Sequence, residues 1–420
     1  MDKMNLYIFI QDNYRATSYG IGTYIEQIIH LTNCSKNIDL TLIHFHSKEK
    51  ELKIENADEY TQIFIPDYCK QQKIRSDILE KRYIKTAVSY LRGIIPNDPN
   101  VIFHFQYLDQ YELIKLIKKV FRGNIVITVH STDWSFNLLG DKKQLNNILH
   151  QPAEQLSSMD KLLMGLVERD KKTIQLCDQV ICIARHSYDY IINTLKIEEN
   201  KVCVISNGMK DAYHHSISNE KKELLRNKFW LSKSQKIILF AGRLDEVKGI
   251  AYLIKAFEKL LITHPEVHLV IVGNGNFNNW FPLINNCWTK ITFTGKLKRK
   301  QLYNWYKIAD IGVCCPVHEE FGLVAIEMMM HKLPLIVTNT GGLEEIVDDK
   351  IDGLKVPIKK INNKPAVDTD ILVKQMQFLL ESPEFAFQLG INARKKFLEK
   401  YQLSCFKYNM LNLYSQILLK

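Results

Sequence analysis

Short apolar runs rich in β-branched residues alternate with amphipathic segments along almost the whole chain. The runs are continuously apolar, which is typical of strands covered on both faces of a parallel sheet. Segments with helical periodicity separate them, so the pattern predicts repeated βαβ units. The predicted strands are LYIFI, LTLIHF, VIFHFQ, IVITVH, QVICIA and KVCVIS in the first half, and KIILFAG, VHLVIVG, ITFTG, IGVCCP, LPLIVT and GLKV in the second.

A polar stretch with turn signals interrupts this rhythm at residues 206–225. It divides the chain into two α/β domains, residues 1–208 and 209–398, and a last segment, residues 399–420, with helical periodicity and no following strand. A chain of 420 residues is also longer than a domain with a single hydrophobic core usually is. Because doubly wound sheets bind ligands beyond the carboxyl ends of their strands, we expect the site in a cleft between the two domains.

Composition and charge narrow the classes of function. The chain is 46% hydrophobic and 24% charged, as in globular proteins. No apolar run approaches the ~20 residues of a membrane-spanning helix, and the amino terminus lacks the features of a signal peptide. Nine cysteines without a CxxC pair argue against a zinc cluster or a disulfide framework, so we expect a cytoplasmic protein. The net charge of +10 favours anionic partners, which include nucleic acid, anionic lipid and phosphorylated small molecules.

The first candidate for chemistry is FAGRLDEVKGI, residues 240–250, which follows a predicted strand and opens a predicted helix. Gly242 permits a tight turn there. Arg243 and Lys248 place two cations at a helix N-terminus, an arrangement that suits a diphosphate. The alternative is an ordinary βα turn with a solvated arginine and lysine.

Three further glycine-rich turns follow predicted strands. Gly273 in GNG would permit close approach of a ligand to the backbone, although the third glycine of a dinucleotide fingerprint is missing. Gly341 in TGG presents N–H groups to a phosphate or forms a tight turn. Gly20 and Gly22 precede the first predicted helix, and Ile25 stands where a third glycine would be, which weakens a dinucleotide-binding interpretation.

A histidine, His130, stands at the carboxyl end of the predicted strand IVITVH. Such a side chain can donate a hydrogen bond to a sugar hydroxyl or a carbonyl, with a pKa close to working pH. The alternative is a histidine that caps the strand end. We favour a functional role because the position matches the predicted site.

The strongest signal is VHEEFGLVAIEMM, residues 317–329. A helix that starts near Leu323 would present the N–H groups of Leu323 and Val324 to a phosphate. Glu327 lies one turn further along, within reach of ribose hydroxyls. Glu319 lies on the preceding loop, where its carboxylate could hold hydroxyls of a transferred group. The helix dipole explains an acid at the helix start but not Glu327, since a buried carboxylate is costly unless it is paired.

These motifs resemble those of a known family. Glu319 and Glu327, with Phe-Gly-Leu between them, reproduce the E-x7-E pattern of retaining GT-B glycosyltransferases of the "group 1" family, also called family 4. GRLDEVKG is similar to the family's G-R-L-x-x-x-K-G, and GNG, TGG and ISNGM stand in the family's order. The resemblance is close over residues 236–347 and looser in the first domain.

The resemblance implies an α/β protein with the GT-B fold, in which two Rossmann-like doubly wound domains face a central cleft and the last helix packs back on the first domain. It implies transfer of a sugar from a nucleotide-diphosphate sugar to a hydroxyl acceptor held by the first domain. Preorganised cations and N–H dipoles would stabilise the leaving diphosphate, so neither a metal nor a cofactor is expected. Asp368-Thr369-Asp370 resembles a metal-binding DxD, but we expect a helix N-cap there.

The resemblance also assigns roles to residues. Arg243 and Lys248 would bind the diphosphate in place of a metal, and Glu327 would hold the ribose. Glu319 and His130, the expected catalytic residues, would address the donor sugar. The expected donor-binding residues are Gly22, which lets the first-domain loop approach the phosphate, and Arg243, Lys248, Gly273, Gly322, Leu323, Val324, Glu327 and Gly341.

Three positions depart from the family's pattern, all on the sugar or acceptor side. Glu320 replaces the glycine usual between the first glutamate and the phenylalanine, which adds bulk and charge. Tyr19 stands where a second glycine is common in the first-domain loop. The sequence HSTDW, residues 130–134, is not the family's usual continuation.

Two basic stretches, residues 70–95 and 115–123, are candidates for peripheral contact with the inner face of an anionic membrane. The alternative is a core-facing helix with a solvated basic side. No recognition motif accompanies the charge, so we expect no nucleic-acid partner. The apolar residues of the first stretch recur near helical spacing: Ile74, Ile78, Ile84, Val88 and Leu91.

The sequence leaves alternatives to sugar transfer to be considered. A sugar phosphorylase or a nucleotide-sugar hydrolase on the same scaffold would need no acceptor. A Rossmann dehydrogenase lacks support, since no GxGxxG is present. A non-catalytic binding module would be expected to have lost His130, Glu319, Arg243 or Lys248, and all four are present.

Overall fold

The computed structural model describes residues 4–14, 20–32, 37–67, 76–213 and 217–419. The chain divides into two compact units. Unit 1 comprises Met1–Trp134, Lys143–Gly208 and Leu403–Lys420, and unit 2 comprises Ser135–Lys142 and Met209–Gln402. The predicted ranges differ from these units in two places, because residues 135–142 and 399–402 pack with unit 2.

Unit 1 is built on an eight-stranded sheet. Its strands are β1 Met4–Gln11, β2 Ile38–Ser47, β3 Lys53–Asn56, β4 Thr61–Pro66, β5 Val101–Phe105, β6 Asn124–Val129, β7 Gln179–Cys182 and β8 Val202–Val204. Their order is β3-β4-β2-β1-β5-β6-β7-β8, and all neighbouring pairs are parallel except β3 with β4. The six predicted strands are confirmed, and the edge strand β3 and its neighbour β4 are additional.

Unit 2 contains a six-stranded, fully parallel sheet and a separate hairpin. The strands are β9 Lys236–Ala241, β10 Val267–Val272, β11 Ile291–Gly295, β12 Ile311–Cys314, β13 Leu335–Thr338 and β14 Leu354–Val356, followed by the hairpin β15 Ile358–Ile361 and β16 Lys364–Val367. The sheet order is β11-β10-β9-β12-β13-β14. All six predicted strands are confirmed, and the hairpin is additional.

Helices connect the strands as the βαβ pattern predicts. In chain order they are α1 Gly20–Thr32, α2 Asp77–Leu91, α3 Tyr111–Val120, α4 Asp133–Asn137, α5 Lys142–His150, α6 Ser158–Leu176, α7 Arg185–Asp189, α8 Asn219–Lys228, α9 Ile250–Leu260, α10 Arg299–Ile308, α11 Leu323–Met330, α12 Leu343–Ile346, α13 Thr369–Glu381, α14 Pro383–Lys396 and α15 Leu403–Leu418. The last helix, α15, belongs to unit 1, where Phe406 and Tyr414 join a buried core with Tyr24 of α1. The expected return of the terminal helix to the first domain is confirmed.

The strand order reverses once in each parallel sheet. In unit 1 the chain builds outward from β1 and then returns to β5 on its other side, and in unit 2 it does the same from β9 to β12. Such reversals leave a crevice beyond the carboxyl ends of the two central strands, where α/β proteins bind ligands. The loops after β9 and β12 are therefore the first place to look for a site in unit 2.

The two basic stretches of unit 1 overlap core-facing helices, α2 and α3. Residues 70–75 lie outside the described residues. In α2 the side chains of Ile84, Val88 and Leu91 are buried in unit 1, whereas Ile78 is 64% exposed. The apolar side of α2 is thus occupied by the core, while Lys81, Arg82 and Lys85 remain exposed. Throughout the described ranges, no helix is both long enough and apolar enough to cross a bilayer.

A buried polar network links four elements of unit 1. The imidazole of His104 on β5 lies 2.8 Å from the Tyr414 hydroxyl through Nδ1 and 2.7 Å from Thr128 Oγ1 through Nε2. The Tyr24 hydroxyl lies 2.9 Å from the same threonine oxygen. Burial lowers the pKa of His104 to about 3, with a smaller contribution from His130. His104 is therefore neutral in the folded protein at any pH above that value.

This histidine predicts a loss of stability in mild acid. An unfolded histidine titrates near pH ~6.5, so between pH ~6.5 and about 3 the unfolded chain binds a proton that folded His104 does not. Stability therefore falls as the pH drops through this window, by about 2 kcal/mol at pH ~5. We expect His104→Gln to unfold at a lower temperature than wild type at pH 7.5 but to lose less on acidification to pH 5. Parallel declines in thermal scans of the two proteins would contradict the assignment.

Candidate functional site

An ion pair joins the two loops at the strand reversal of unit 2. Lys248, in the short 3-10 turn after β9, places Nζ 2.6 Å from Glu319 Oε2 on the loop after β12. The two side chains are only 22% and 20% exposed, so solvent screens the pair less than a surface contact. The loops also touch through backbone: a Cβ on Gly249 would lie 1.8 Å from the Cys315 carbonyl oxygen. The sequence-predicted cation and carboxylate are thus immediate neighbours.

Arg243, the other predicted cation, is more accessible. Its side chain is 40% exposed, and Nη2 lies 3.2 Å from Asp245 Oδ2. The same aspartate caps the following turn, because its Oδ1 accepts a hydrogen bond from the Lys248 backbone N–H. Arg243 lies just before the N-cap of this turn and Lys248 lies at its end, and a ligand can engage Arg243 without breaking a buried contact.

Helix α11 starts directly after this loop with an uncapped N-terminus. Its N-cap residue, Gly322, has φ +116° and no side chain that could cap the backbone N–H groups. The first turn of the helix contains no acidic residue. Leu323 and Val324 are half-buried. The helix start therefore combines backbone N–H groups with the positive end of the dipole, which favours an anion. The predicted helix start at Leu323 is confirmed.

Glu327 lies one turn further along α11 and is paired with a neutral group. The hydroxyl of Tyr306, on α10, donates a hydrogen bond of 2.8 Å to Glu327 Oε2. Burial raises the pKa of this carboxyl, while the hydrogen bond and the charge of Arg299 act in the opposite direction. The partner Tyr306 is buried and was not predicted, since it lies 21 positions away in the chain.

The predicted glycines have a structural reason in the packing of these loops. Gly341 has φ +52°, and a Cβ there would lie 1.8 Å from the Glu319 carbonyl oxygen. The N–H of Gly342 donates to that same oxygen at 3.0 Å. A Cβ on Gly273 would lie 1.7 Å from the Gly242 carbonyl oxygen. These glycines therefore hold the Glu319 loop and the β9 loop in place, and any approach of their backbone to a ligand stays a prediction.

The Gly341 contact makes a direct prediction for stability. We expect Gly341→Ala to destabilise the protein by about 2–4 kcal/mol, because alanine must adopt a left-handed conformation and displace the Glu319 carbonyl. Gly165→Ala is the matched control, since no atom lies within 4 Å of a Cβ at this exposed position of α6. It should stabilise by ~0.5–1 kcal/mol. Equal melting temperatures for the two variants would contradict the described loop packing.

In unit 1, His130 is half-buried immediately after β6. Its Nε2 lies 2.9 Å from Gln106 Oε1, and its ring packs edge-on against Tyr24 at 4.7 Å between centroids. Burial lowers the pKa of His130 to about 3. The expectation of a pKa close to working pH is therefore wrong, because the imidazole is desolvated. A neutral imidazole can act as a hydrogen-bond donor or acceptor but brings no positive charge.

The structure also corrects the placement of Gly22. This glycine was expected in a loop, but α1 begins at Gly20, so Gly22 lies in its first turn. Tyr19, the nearby departure from the family pattern, lies outside the described residues. Gly22 and His130 belong to unit 1, and the other nine predicted site residues belong to unit 2.

The DxD-like stretch, residues 368–370, lies at the start of a helix. Asp368 is the N-cap of α13, and its Oδ1 accepts hydrogen bonds from the backbone N–H groups of Asp370 and Ile371. The predicted N-cap is confirmed. Within the described ranges, no three His, Cys, Asp or Glu side chains converge as metal ligands.

The fold and site together define a class of protein. Two Rossmann-like units, one of which has two cations and a helix start without a side-chain cap at its strand reversal, match the GT-B architecture. The carboxylates of Glu319 and Glu327 add hydrogen-bond acceptors close to that helix start.

Comparison with known proteins gives the family. The model described as "Glycosyl transferases group 1" matches residues 221–396, and "Glycosyltransferase Family 4" matches residues 20–212. An uncharacterized glycosyltransferase of Methanocaldococcus jannaschii is 30% identical over 302 residues, which cover 68% of this chain and 74% of that protein. The chain belongs to the group 1, family 4 glycosyltransferases, and the predicted enzyme class is confirmed.

Solved structures show the same fold along the full chain. Sucrose-phosphate synthase from Thermosynechococcus elongatus superposes with a TM-score of 0.75, covering 99% of each chain at 18% identity. The Anabaena protein HepE, solved with UDP and glucose, gives a TM-score of 0.69 at 14% identity, covering 98% of this chain and all of HepE. The predicted GT-B fold is confirmed.

Proposed function

We propose that this glycosyltransferase moves a sugar from a nucleotide-diphosphate sugar to a hydroxyl group of an acceptor, with retention of anomeric configuration and without a metal. The observation that carries the proposal is the Lys248–Glu319 pair at the strand reversal of unit 2, beside the uncapped start of α11. A cation, a carboxylate and helix N–H groups close together at a strand reversal support a donor that carries a diphosphate and a sugar. The binding of UDP and glucose by HepE supports this donor class.

The diphosphate would be held by charge and by backbone dipoles. Arg243 and Lys248 supply two positive charges, and the N–H groups of Leu323 and Val324 supply the helix start. As the bond between the sugar and the phosphate breaks, negative charge grows on the leaving oxygen. Groups fixed in place before the reaction stabilise that charge without reorganisation, which is the usual source of large rate effects. In this proposal the cations do the work that a metal does elsewhere.

The two carboxylates would hold hydroxyl groups. Glu327, supported by Tyr306, would accept hydrogen bonds from the ribose, and Glu319 would accept them from the donor sugar. Because Glu319 is also the partner of Lys248, the same contact links the sugar position to the diphosphate position. His130, neutral and held by Gln106, is proposed to contribute a hydrogen bond to the donor sugar.

Retention follows if the acceptor attacks from the face that the diphosphate leaves. The acceptor oxygen forms the new bond to the anomeric carbon, the bond from that carbon to the phosphate oxygen breaks, and the hydroxyl proton passes to the departing phosphate. This route needs no protein nucleophile. Phosphorolysis and hydrolysis on the same scaffold would instead use phosphate or water, and no contact among the described residues favours them over an acceptor hydroxyl.

The location and any membrane contact remain predictions. We propose a cytoplasmic enzyme, in which the exposed basic side of α2 is the candidate surface for anionic lipid. The burial of Ile84, Val88 and Leu91 means that such contact would be electrostatic and would weaken with salt.

The proposal is tested with a panel of nucleotide sugars. The protein is incubated with each donor, with and without a cell extract as a source of acceptor, and nucleoside diphosphate release is followed by mass spectrometry. We expect one donor class to release nucleoside diphosphate at least tenfold faster when acceptor is present. No release with any donor would contradict transfer, and release of sugar phosphate would favour a phosphorylase.

A further inference from the structure

Glu320 departs from the family pattern, and the structure gives it specific partners. Its side chain is only 11% exposed and turns to two neighbours within unit 2. The Ser135 hydroxyl donates a hydrogen bond to Glu320 Oε1, and His318 Nε2 lies 3.0 Å from the same oxygen. Both partners are almost fully buried, at 1% and 3% exposure. Glu320 is therefore committed to protein contacts, although its neighbour Glu319 is assigned to the donor sugar.

The serine belongs to a segment that leaves unit 1 and packs with unit 2. We name residues 135–142 the crossover segment. It packs on the Glu319 loop through His318: the Phe136 ring meets the imidazole edge-on at 6.0 Å, and a Cβ on Gly140, which has φ +74°, would lie 2.5 Å from Nδ1. An ion pair between Asp141 and Lys360 holds its far end. The crossover segment is thus fixed to unit 2 at both ends.

The crossover segment is continuous with the chain that carries His130. Helix α4 runs without a break from Asp133 and Trp134, in unit 1, into the first residues of the crossover segment. Its unit 1 end is held by Arg169, whose Nη2 lies 2.8 Å from Asp133 Oδ2, and by ring packing of Trp134 on Tyr190 at 5.2 Å. The stretch HSTDW therefore runs into the start of α4, and Glu320 contacts Ser135 in the middle of that helix.

We propose that Glu320 is a positioning residue for sugar transfer. It ties the Glu319 loop to the crossover segment through Ser135 and His318, and all of these residues lie in unit 2. The usual glycine could not make this tie, because it has no side chain. The inference rests on the proposed function, and it adds a residue that acts on the geometry of the donor loop without contacting the donor.

The test separates turnover from donor binding. We expect Glu320→Gly to lower kcat about 10- to 30-fold while the Kd for nucleoside diphosphate changes less than about threefold, since loosening reacting groups costs far more than loosening a bound phosphate. Glu320→Gln keeps the oxygen that accepts from Ser135 and should stay within about threefold of wild type. Glu384→Gln, at an exposed position of α14, is the charge-matched control.

Ser135→Ala completes a double-mutant cycle. If the two residues act as one tie, Ser135→Ala combined with Glu320→Gly should be no slower than Glu320→Gly alone. If the losses of kcat in the two single variants multiply in the double variant, the two residues act independently and the proposal is contradicted. If Glu320→Gly weakens kcat and donor binding equally, Glu320 is a donor-binding residue instead. A Glu320→Gln variant as slow as Glu320→Gly would also overturn the proposal.

Amide hydrogen exchange tests whether Glu320 holds the crossover segment, independently of activity. Glu320→Gly should speed amide exchange at least tenfold in residues 135–142 and leave β9 and β10 unchanged. Unchanged exchange in the crossover segment would overturn the tie even if the enzyme loses activity. Conversely, a wild-type protein that turns over no donor fails the proposed function, while the exchange result still decides whether Glu320 holds this segment.

Discussion

Lys248→Met is expected to lower kcat/KM for the nucleotide-sugar donor about 1000-fold, the largest effect of any single change considered. Methionine keeps the length of the side chain but removes the charge that would stabilise the leaving diphosphate. A single preorganised donor to developing negative charge is worth ~10²–10³ in rate, and loss of a full charge lies at or above the top of that range. The change also leaves Glu319 without its cation at a site only 20% exposed.

Steady-state kinetics with saturating acceptor measure this effect, and Lys255→Met serves as the control. Lys255 is exposed on α9, a few residues from Lys248, and should stay within about twofold of wild type. We expect most of the loss in kcat, because the charge is needed most when the diphosphate departs. A Lys248→Met enzyme within about threefold of wild type would remove the lysine from the donor site.

Glu327→Ala is expected to weaken the affinity for nucleoside diphosphate by at least about 100-fold. Two ribose hydroxyls donating to a carboxylate are worth about 1.5–3 kcal/mol each, and truncation also strands the Tyr306 hydroxyl in a buried position. Because burial raises the pKa of Glu327, wild-type affinity should fall on acidification, as the carboxyl gains a proton and ceases to accept two hydrogen bonds.

Isothermal titration with nucleoside diphosphate measures the effect of Glu327→Ala. Tyr306→Phe isolates the support of the carboxylate and should weaken binding by about tenfold or less. Glu344→Ala, at an exposed position of α12, controls for charge and should not change the Kd. Retention of wild-type affinity in Glu327→Ala would show that the ribose is held elsewhere.

The sheets were predictable because their strands are buried on both faces. Every one of the twelve predicted runs is a strand, since a continuous β-branched run of this length is covered in a doubly wound sheet. Three of the four additional strands lack that signal, and β4 carries only the short run Ile63-Phe64-Ile65, in which burial alternates. KIEN, in β3, is polar, and β15 and β16 form a short hairpin whose pairing depends on a turn rather than on burial.

The crossover segment could not be predicted from the local pattern. Residues 135–142 are eight residues between two stretches of unit 1, and only tertiary contacts such as Ser135 to Glu320 assign them to unit 2. The contacts of Glu320 could not be predicted either, because its partner Ser135 lies 185 positions earlier in the chain. A departure from a family pattern marks such a residue, but the pattern does not name its partner.

The grouping of the candidate residues in unit 2 was largely predictable from the sequence, and their electrostatics were not. The spacing of Lys248, Glu319 and Glu327 identified three residues that unit 2 places around one strand reversal. Sequence could not show that Lys248 already pairs with Glu319, or that desolvation lowers the pKa of His130 to about 3. Both depend on distances and burial that arise only when the sheets assemble.

The central claim is sugar transfer with retention, and the anomeric proton of the product tests it most directly. With the donor and acceptor that release nucleoside diphosphate, the product is isolated and its anomeric coupling constant is measured by proton NMR. The account predicts a new glycosidic bond to the acceptor with the anomeric configuration of the donor. A product of inverted configuration, or only free sugar or sugar phosphate, would contradict it.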